Sequence, residues 1–265
     1  MTPTKLLGIP ESFSDHGGGV DHMIDVVHYF MLALFVGWTL FFLYCLWRFA
    51  ARRNPKANYA GVTNHVSTHL EIGVVLIEAV LLLGFAFPLW YDRTDEFEIV
   101  QKQDPNRVRV IGYQFGWNYH YPGADGKFGR IDRQLTAGVG DPAIDPDDPN
   151  GWDDFLSPSL KVPVDKPSIL QITATDVIHN YSIIPMRIQQ DAIPGSDIPM
   201  WFTPIKTLET YVVCGQLCGD QHGNMKGLME VVKQSSFDTW AEEQSAASLK
   251  RNQERQQQQP AVAVN

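Results

Sequence analysis

Two long apolar runs constrain this chain more than any other feature. Residues 26–47 are apolar almost throughout, and His28 is the one group among them that titrates near neutral pH. A bilayer core needs roughly 20 such residues in helix. A soluble core helix rarely stays apolar on every face. Tyr29, Trp38, Tyr44 and Trp47 supply interface-type aromatics near both ends. Arg48, Arg52, Arg53 and Lys56 follow, which places this loop on the cytoplasmic side. Pro55 and Asn58 are expected to break the helix. The second run covers residues 71–91 and closes with Pro88, Trp90 and Tyr91. Asp92, Asp95, Glu96 and Glu98 come next, opposed by Arg93. The pair predicts a transmembrane hairpin with both chain ends outside the cytoplasm.

Residues 1–22 are polar and Gly-rich and lack the basic start and short apolar core of a signal peptide. They are expected to form a short extracytoplasmic segment before a hairpin over 23–95. Glu78 lies well inside the second span, where a charge costs about 2.5–3.5 kcal/mol on insertion scales. It is expected to face a protein neighbour or to be protonated. Glu71, seven residues earlier, shares its helical face. It reads either as a headgroup-level boundary residue or as the mouth of a proton path into a partner.

Residues 96–234 read as all-β. The segment 107–111 alternates with period two and runs into the aromatic stretch 113–121; residues 168–174, 208–213 and 227–232 give further strands. Short strands between Gly/Pro turns point to a sandwich or barrel. Asp141 to Asp154 is an Asp/Pro/Gly-rich loop without the spacing of a calcium loop, and is expected to be a solvated insertion. From Asp92 onward 24 acidic residues face 16 basic ones. That balance excludes a nucleic-acid partner, which demands a basic face, and suits a basic protein partner. Residues 235–265 resume helical character, with Thr239 and Glu242 at capping-box spacing, and end in a Gln-rich run before Pro260.

The chemistry concentrates in Cys214, Cys218, His222 and Met225, spaced C-x3-C-x3-H-x2-M. Sulfur and imidazole donors suit copper or zinc, and a thioether tilts the choice toward copper. A loop between two strands makes a rigid cradle, and His179 at a strand end is the best further ligand. Two thiolates and two imidazoles can hold one zinc tetrahedrally or bridge two coppers. In the second case Met225 is a weak axial ligand and the Gln216 carbonyl serves the other metal. A single blue-copper site leaves one cysteine over, so a two-copper centre uses more of the residues. A Cys214–Cys218 disulfide is the bland alternative. Cys45 lies in an apolar run and reads as a small buried hydrophobe.

The cysteine loop, His179, the 191–195 segment, the 113–121 strand and the two-helix hairpin resemble subunit II of the haem–copper cytochrome c oxidases. The resemblance covers nearly the whole chain after residue 22. It implies a membrane-anchored all-β protein: a two-helix transmembrane hairpin, then a cupredoxin-like β-barrel carrying the binuclear CuA centre. That centre takes electrons from a cytochrome c-type donor and passes them to haem in subunit I, where oxygen is reduced and protons are translocated. By this resemblance Cys214 and Cys218 bridge the coppers, His179 and Met225 sit on one, and His222 with the Gln216 carbonyl on the other. Glu71 would open a proton path into subunit I, and Phe115 and Trp117 would receive electrons. Gln216 stands where the family often has a glutamate that binds magnesium at the subunit interface, so that carboxylate–magnesium bond is lost here. Phe115 stands where a tryptophan is frequent. No haem-attachment motif is present, so the donor is expected to be a separate cytochrome c or cytochrome-containing complex. The partners implied are subunit I, other oxidase subunits and the lipid bilayer; the expected location is a bacterial plasma membrane. A copper chaperone of thioredoxin-like type would not need His222 and Met225. A quinol oxidase subunit would lack the copper ligands, and a nitrous-oxide reductase would need a large further domain.

Overall fold

The computed structural model describes residues 2–56, 59–61 and 64–258. Asn58 and Pro260 lie outside the described residues. The described chain forms two compact units. One contains the chain up to Ile9 together with Gly18–Glu96; the other contains Pro10–Gly17 and the chain from Phe97 onward.

The first unit is helical. A single turn, α1 (Pro3–Leu6), precedes α2 (Gly17–Arg48), and the Thr4 amide donates to Asp25 at 2.7 Å. The second apolar helix runs continuously from Val66 to Gln101, as α3 (Val66–Leu81), a π-turn (Leu82–Ala86) and α4 (Phe87–Gln101). Both helices are long and apolar enough to cross a membrane, and their apolar side chains, Phe42 and Leu83 among them, stand outward. Such a surface is stable only against lipid or protein.

Two boundaries differ from the sequence expectation. Pro88 does not close the helix. Proline lacks an amide proton and crowds the carbonyl four residues back; here the π-turn just ahead, in which the Phe87 amide donates to the Leu82 carbonyl, relaxes the ladder. Residues 96–101, read as the start of the β region, complete the helix instead. Phe97 and Val100 pack against Ile169 and Trp201, so tertiary burial extends a helix that the acidic residues 92–98 obscure.

The second unit holds ten strands: β1 (Asn106–Tyr113), β2 (Gly116–Tyr121), β3 (Phe155–Ser157), β4 (Ser159–Pro163), β5 (Ser168–Ala174), β6 (His179–Ile183), β7 (Ile188–Ala192), β8 (Ile198–Phe202), β9 (Leu208–Cys214) and β10 (Lys226–Val232). They form two five-stranded sheets, ordered β3-β2-β1-β5-β8 and β4-β10-β9-β6-β7. The β1–β5 and β4–β10 pairs are parallel; the other pairs are antiparallel. Alternation points Val108, Val110, Leu170 and Ile172 of one sheet into a core shared with Leu160, Val162, Tyr181, Val212 and Met229 of the other. This is the expected cupredoxin-like architecture.

Two pieces strap the barrel. Residues 10–17 run along it: the Phe13 amide donates to the Pro185 carbonyl at 2.8 Å, and the Phe13 carbonyl accepts from Ile205 at 2.9 Å. The C-terminal helix α5 (Gln234–Gln258) lays Phe237 and Trp240 against the core. It begins before Thr239, so the expected capping box does not form. The Thr239 hydroxyl donates instead to the Ser235 carbonyl at 3.0 Å, inside the helix.

The Asp141–Asp154 stretch is more ordered than a solvated insertion. Its carboxylates accept from turn amides: Asp141 from Ala137 and Ala143, Asp148 from Arg130 and Asn150, Asp153 from Ala124 and Asp125. Asp154 is buried and takes the His120 Nε2 proton at 2.6 Å and the Gly129 amide at 2.8 Å.

Candidate metal centre

The β9–β10 hairpin builds the site. Val213 pairs with Lys226, and the Cys214 amide donates to the Met225 carbonyl at 3.2 Å, closing a loop over residues 215–225. Beside it, β6 pairs with β9 so that Tyr181 faces Cys214, and the Gly215 amide donates to the Asn180 carbonyl at 2.9 Å. This register brings His179, the first residue of β6, beside the cysteine loop. A one-turn 3-10 helix (His222–Asn224) returns the chain to β10. Gly219 is required where the loop passes the β1–β2 turn: its φ is +146°, and a Cβ there would lie 2.9 Å from the Phe115 ring.

Five predicted side chains come together. The Cys214 and Cys218 sulfurs are 3.9 Å apart. His179 Nδ1 lies 4.0 Å from the Cys214 sulfur and His222 Nδ1 3.6 Å from the Cys218 sulfur. The Met225 sulfur is also 3.6 Å from Cys218, and the Gln216 carbonyl is 3.1 Å from Cys214. Cys214 and Cys218 are 8% and 6% exposed, His179 and Met225 are buried, and His222 is half-buried. The ligand atoms of His179, Cys214 and Cys218 lie within 4.8 Å of one another, close enough to hold a metal ion. Both cysteines are free thiols.

The donor set suits a soft metal. Burial and the adjacent Cys214 push the Cys218 thiol up to about 11, so the pocket resists a thiolate unless a cation accompanies it. The buried thioether of Met225 lies 3.6 Å from the Cys218 sulfur, a donor that favours copper over harder ions.

Asp176 orients the His179 imidazole. Its Oδ1 accepts from His179 Nε2 at 2.9 Å, which leaves Nδ1 turned to the sulfurs. Burial opposes its ionisation, but His179 and the amides of Gln114 and Val177 hold its carboxyl below the usual value. Gln114 is a residue that sequence reasoning missed. Its amide donates to Asp176 Oδ2 at 2.7 Å and its side chain donates to the Cys218 carbonyl at 2.6 Å. It ties the histidine's partner to the cysteine loop. The sole sequence signal was its place in the β1–β2 turn, before Phe115. Asp220, the other carboxylate near the motif, is exposed.

The two aromatic candidates separate. Phe115 is partly exposed and packs beside the loop. Trp117 is 3% exposed and stands edge-on to His179, ring centroids 5.8 Å apart. It cannot form a docking surface on this chain. Glu71 belongs to the helical unit, where it lines a groove between α2 and α3 with Trp38, Phe41 and Leu70.

The family model for the periplasmic domain of cytochrome c oxidase subunit II matches residues 150–232. The alternative cytochrome c oxidase subunit 2 of Bradyrhizobium diazoefficiens is 28% identical over 230 residues, spanning 86% of this chain and 80% of that protein. The probable cytochrome c oxidase subunit 2 of Rickettsia bellii is 30% identical over 209 residues, spanning 79% of this chain and 72% of that protein. Among solved structures, the periplasmic domain of subunit II of cytochrome oxidase from Bradyrhizobium japonicum is similar at 29% identity, covering 56% of this chain and 98% of that domain with a TM-score of 0.41. By its sequence relatives, this chain belongs to the cytochrome c oxidase subunit II family.

Proposed function

We propose that this subunit carries a binuclear copper centre that receives electrons from a cytochrome c-type donor and relays them to haem in subunit I of its terminal oxidase. The observation that carries the reading is the pair of buried thiols 3.9 Å apart, flanked by His179, His222 and Met225. Cys214 and Cys218 would bridge the metals. His179 and Met225 would serve one, and His222 with the Gln216 carbonyl the other. When bound, such a pair would supply one-electron redox chemistry at these ligands.

The remaining work falls to the chain. Asp176 fixes the His179 tautomer, and Gln114 pins the cysteine loop to the β1–β2 turn. His179 begins β6, Cys214 ends β9 and Met225 directly precedes β10, so one sheet anchors the ligand loop at both ends and limits its movement when charge changes. Burial of Cys214, Cys218 and Met225 keeps water from the sulfurs. The acidic surface would steer a basic donor. Glu71 would mark the mouth of a proton path into subunit I, and the β unit would stand outside a bacterial plasma membrane. Gln216 replaces a carboxylate, so magnesium at the subunit interface is not expected to depend on this side chain.

Rapid mixing of the purified oxidase with reduced cytochrome c tests the relay. Cys218→Ser is expected to abolish electron arrival at haem from the donor, while a small-molecule reductant still reaches that haem. In the parent oxidase, donor association should slow as salt rises. Undiminished haem reduction by the donor in C218S would contradict the reading.

A further inference from the structure

Trp117 has no task in the copper reading, yet the barrel is shaped around its contact with His179. It is 3% exposed and stands edge-on to two rings, that of His179 with centroid 5.8 Å away and that of Tyr181 with centroid 4.8 Å away. Its indole N–H is buried and bonded to nothing among the described residues. An unmet buried donor is destabilising, and phenylalanine would avoid it. What phenylalanine would not supply is the second ring of the indole. Gly112 of β1 pairs with Trp117 of β2. A Cβ on Gly112 would lie 2.9 Å from Trp117 Cζ3, 3.4 Å from its Cε3 and 3.2 Å from His179 Cδ2. Gly112 is not among the glycines of positive φ, so the close approach of these two rings, and not the backbone, calls for glycine. Gly227 of β10 leaves room at the opposite end of the indole, where a Cβ would lie 3.3 Å from Trp117 Cδ1.

The imidazole is therefore held in two ways. Asp176 Oδ1 accepts from His179 Nε2 at 2.9 Å. The Thr175 amide, one residue before Asp176, donates to the Gly112 carbonyl at 3.0 Å, so the glycine that admits the indole also ties down the segment carrying the carboxylate. One hydrogen bond alone lets an imidazole swing about it; an aromatic edge packed against the ring removes that freedom. Nδ1 lies across the imidazole from Cδ2, and it is the atom turned to the Cys214 sulfur, 4.0 Å away. We infer that Trp117, seated by Gly112, is a positioning residue that holds the His179 imidazole against rotation and keeps Nδ1 toward the sulfurs. This role rests on His179 being a metal ligand, as proposed above.

Solvent exchange of the His179 Nε2 proton tests this, read by NMR on the metal-free full-length chain in detergent with nitrogen-15 histidine and assigned by its loss in His179→Gln. Trp117→Phe should speed exchange about threefold to tenfold, the range that loss of one edge-to-face contact implies. Gly112→Ala, which wedges a methyl group between the rings, should speed it as well. The pair G112A/W117F refills the vacated space and should exchange more slowly than either single variant. In the copper-loaded chain, W117F should change the hyperfine pattern of the electron paramagnetic resonance spectrum. Thermal melting reports whether each variant is folded, and G112A decides the matter if W117F is not. A folded W117F or G112A that exchanges at the parent's rate, a double variant faster than both singles, or identical copper spectra for folded W117F and the parent would each overturn the positioning role. A parent that takes up no copper would contradict the copper reading alone, and the exchange rates would still decide whether Trp117 holds the ring.

Discussion

Single side chains set how firmly the barrel holds its loops. Asp154 is the sharpest case. It is buried, and one oxygen receives both the His120 ring proton and the Gly129 amide. Asp154→Asn puts an amide, with one acceptor oxygen and an NH2 group, where both donors meet a carboxylate. It is expected to destabilise the chain by about 1–3 kcal/mol, the range for leaving a buried polar group unsatisfied, measured by urea unfolding in detergent. The same cluster predicts a pH response. Burial lowers the His120 pKa, the effect of Arg109 adding to it and that of Asp154 opposing it. Folded His120 is therefore neutral where the unfolded chain takes up a proton. Stability from this group is present above the unfolded value of 6.5 and is lost as pH falls below it. Asp176, held low in the metal-free chain, adds a second loss as pH falls below 3.8. Thermal midpoints of the metal-free chain should decline in those two windows. His120→Gln should flatten the first and leave the second.

At the scale of elements, the C-terminal helix closes the structure. Trp240 stands edge-on to Tyr121 and Phe155, with ring centroids 5.1 and 5.3 Å away. Trp240→Ala is expected to cost about 2–3 kcal/mol, below the range for a fully buried aromatic because Trp240 is half-buried, read from the same urea titration. Further along the helix, Ser248 donates to the Asp154 carbonyl and Asn252 to the Trp152 carbonyl at 2.8 Å. Loss of the helix anchor should therefore speed amide exchange in residues 146–154 before it reaches β1 or β5. How far the sequence reveals elements varies with their environment. Strands β1, β2, β5, β9 and β10 carry alternation or β-branched runs and were legible. Strand β8 contains Pro199, and β6 and β7 are five residues each; their strand character comes from pairing with neighbours, which no local pattern records. The helical run to Gln101 was hidden because its burial involves Ile169 and Trp201, far along the chain. The metal ligands were legible because sulfur and imidazole types are rare and closely spaced. Gln114 was not, because its role depends on a contact with Cys218 more than a hundred positions away.

The whole molecule joins two kinds of surface. The helical unit turns large apolar side chains outward along both long helices, and Glu78 sits among them, a carboxyl group whose charged form lipid alone would disfavour. Such an anchor calls for a bilayer and a protein neighbour together, in keeping with a subunit of a terminal oxidase. The β unit is acidic, and most of the formal charge of −9 lies after residue 91. Its sulfur ligands Cys214, Cys218 and Met225 are buried, while the loop residues between them are mostly exposed and His222 is half-buried. In the proposed function, this loop and His179 hold two coppers that share one electron. Electron paramagnetic resonance of the copper-loaded chain, beside Cys218→Ser, tests it most directly. The parent should show hyperfine splitting from two equivalent copper nuclei, and C218S should lose it. A mononuclear pattern in the parent, or an unchanged spectrum in C218S, would contradict the account.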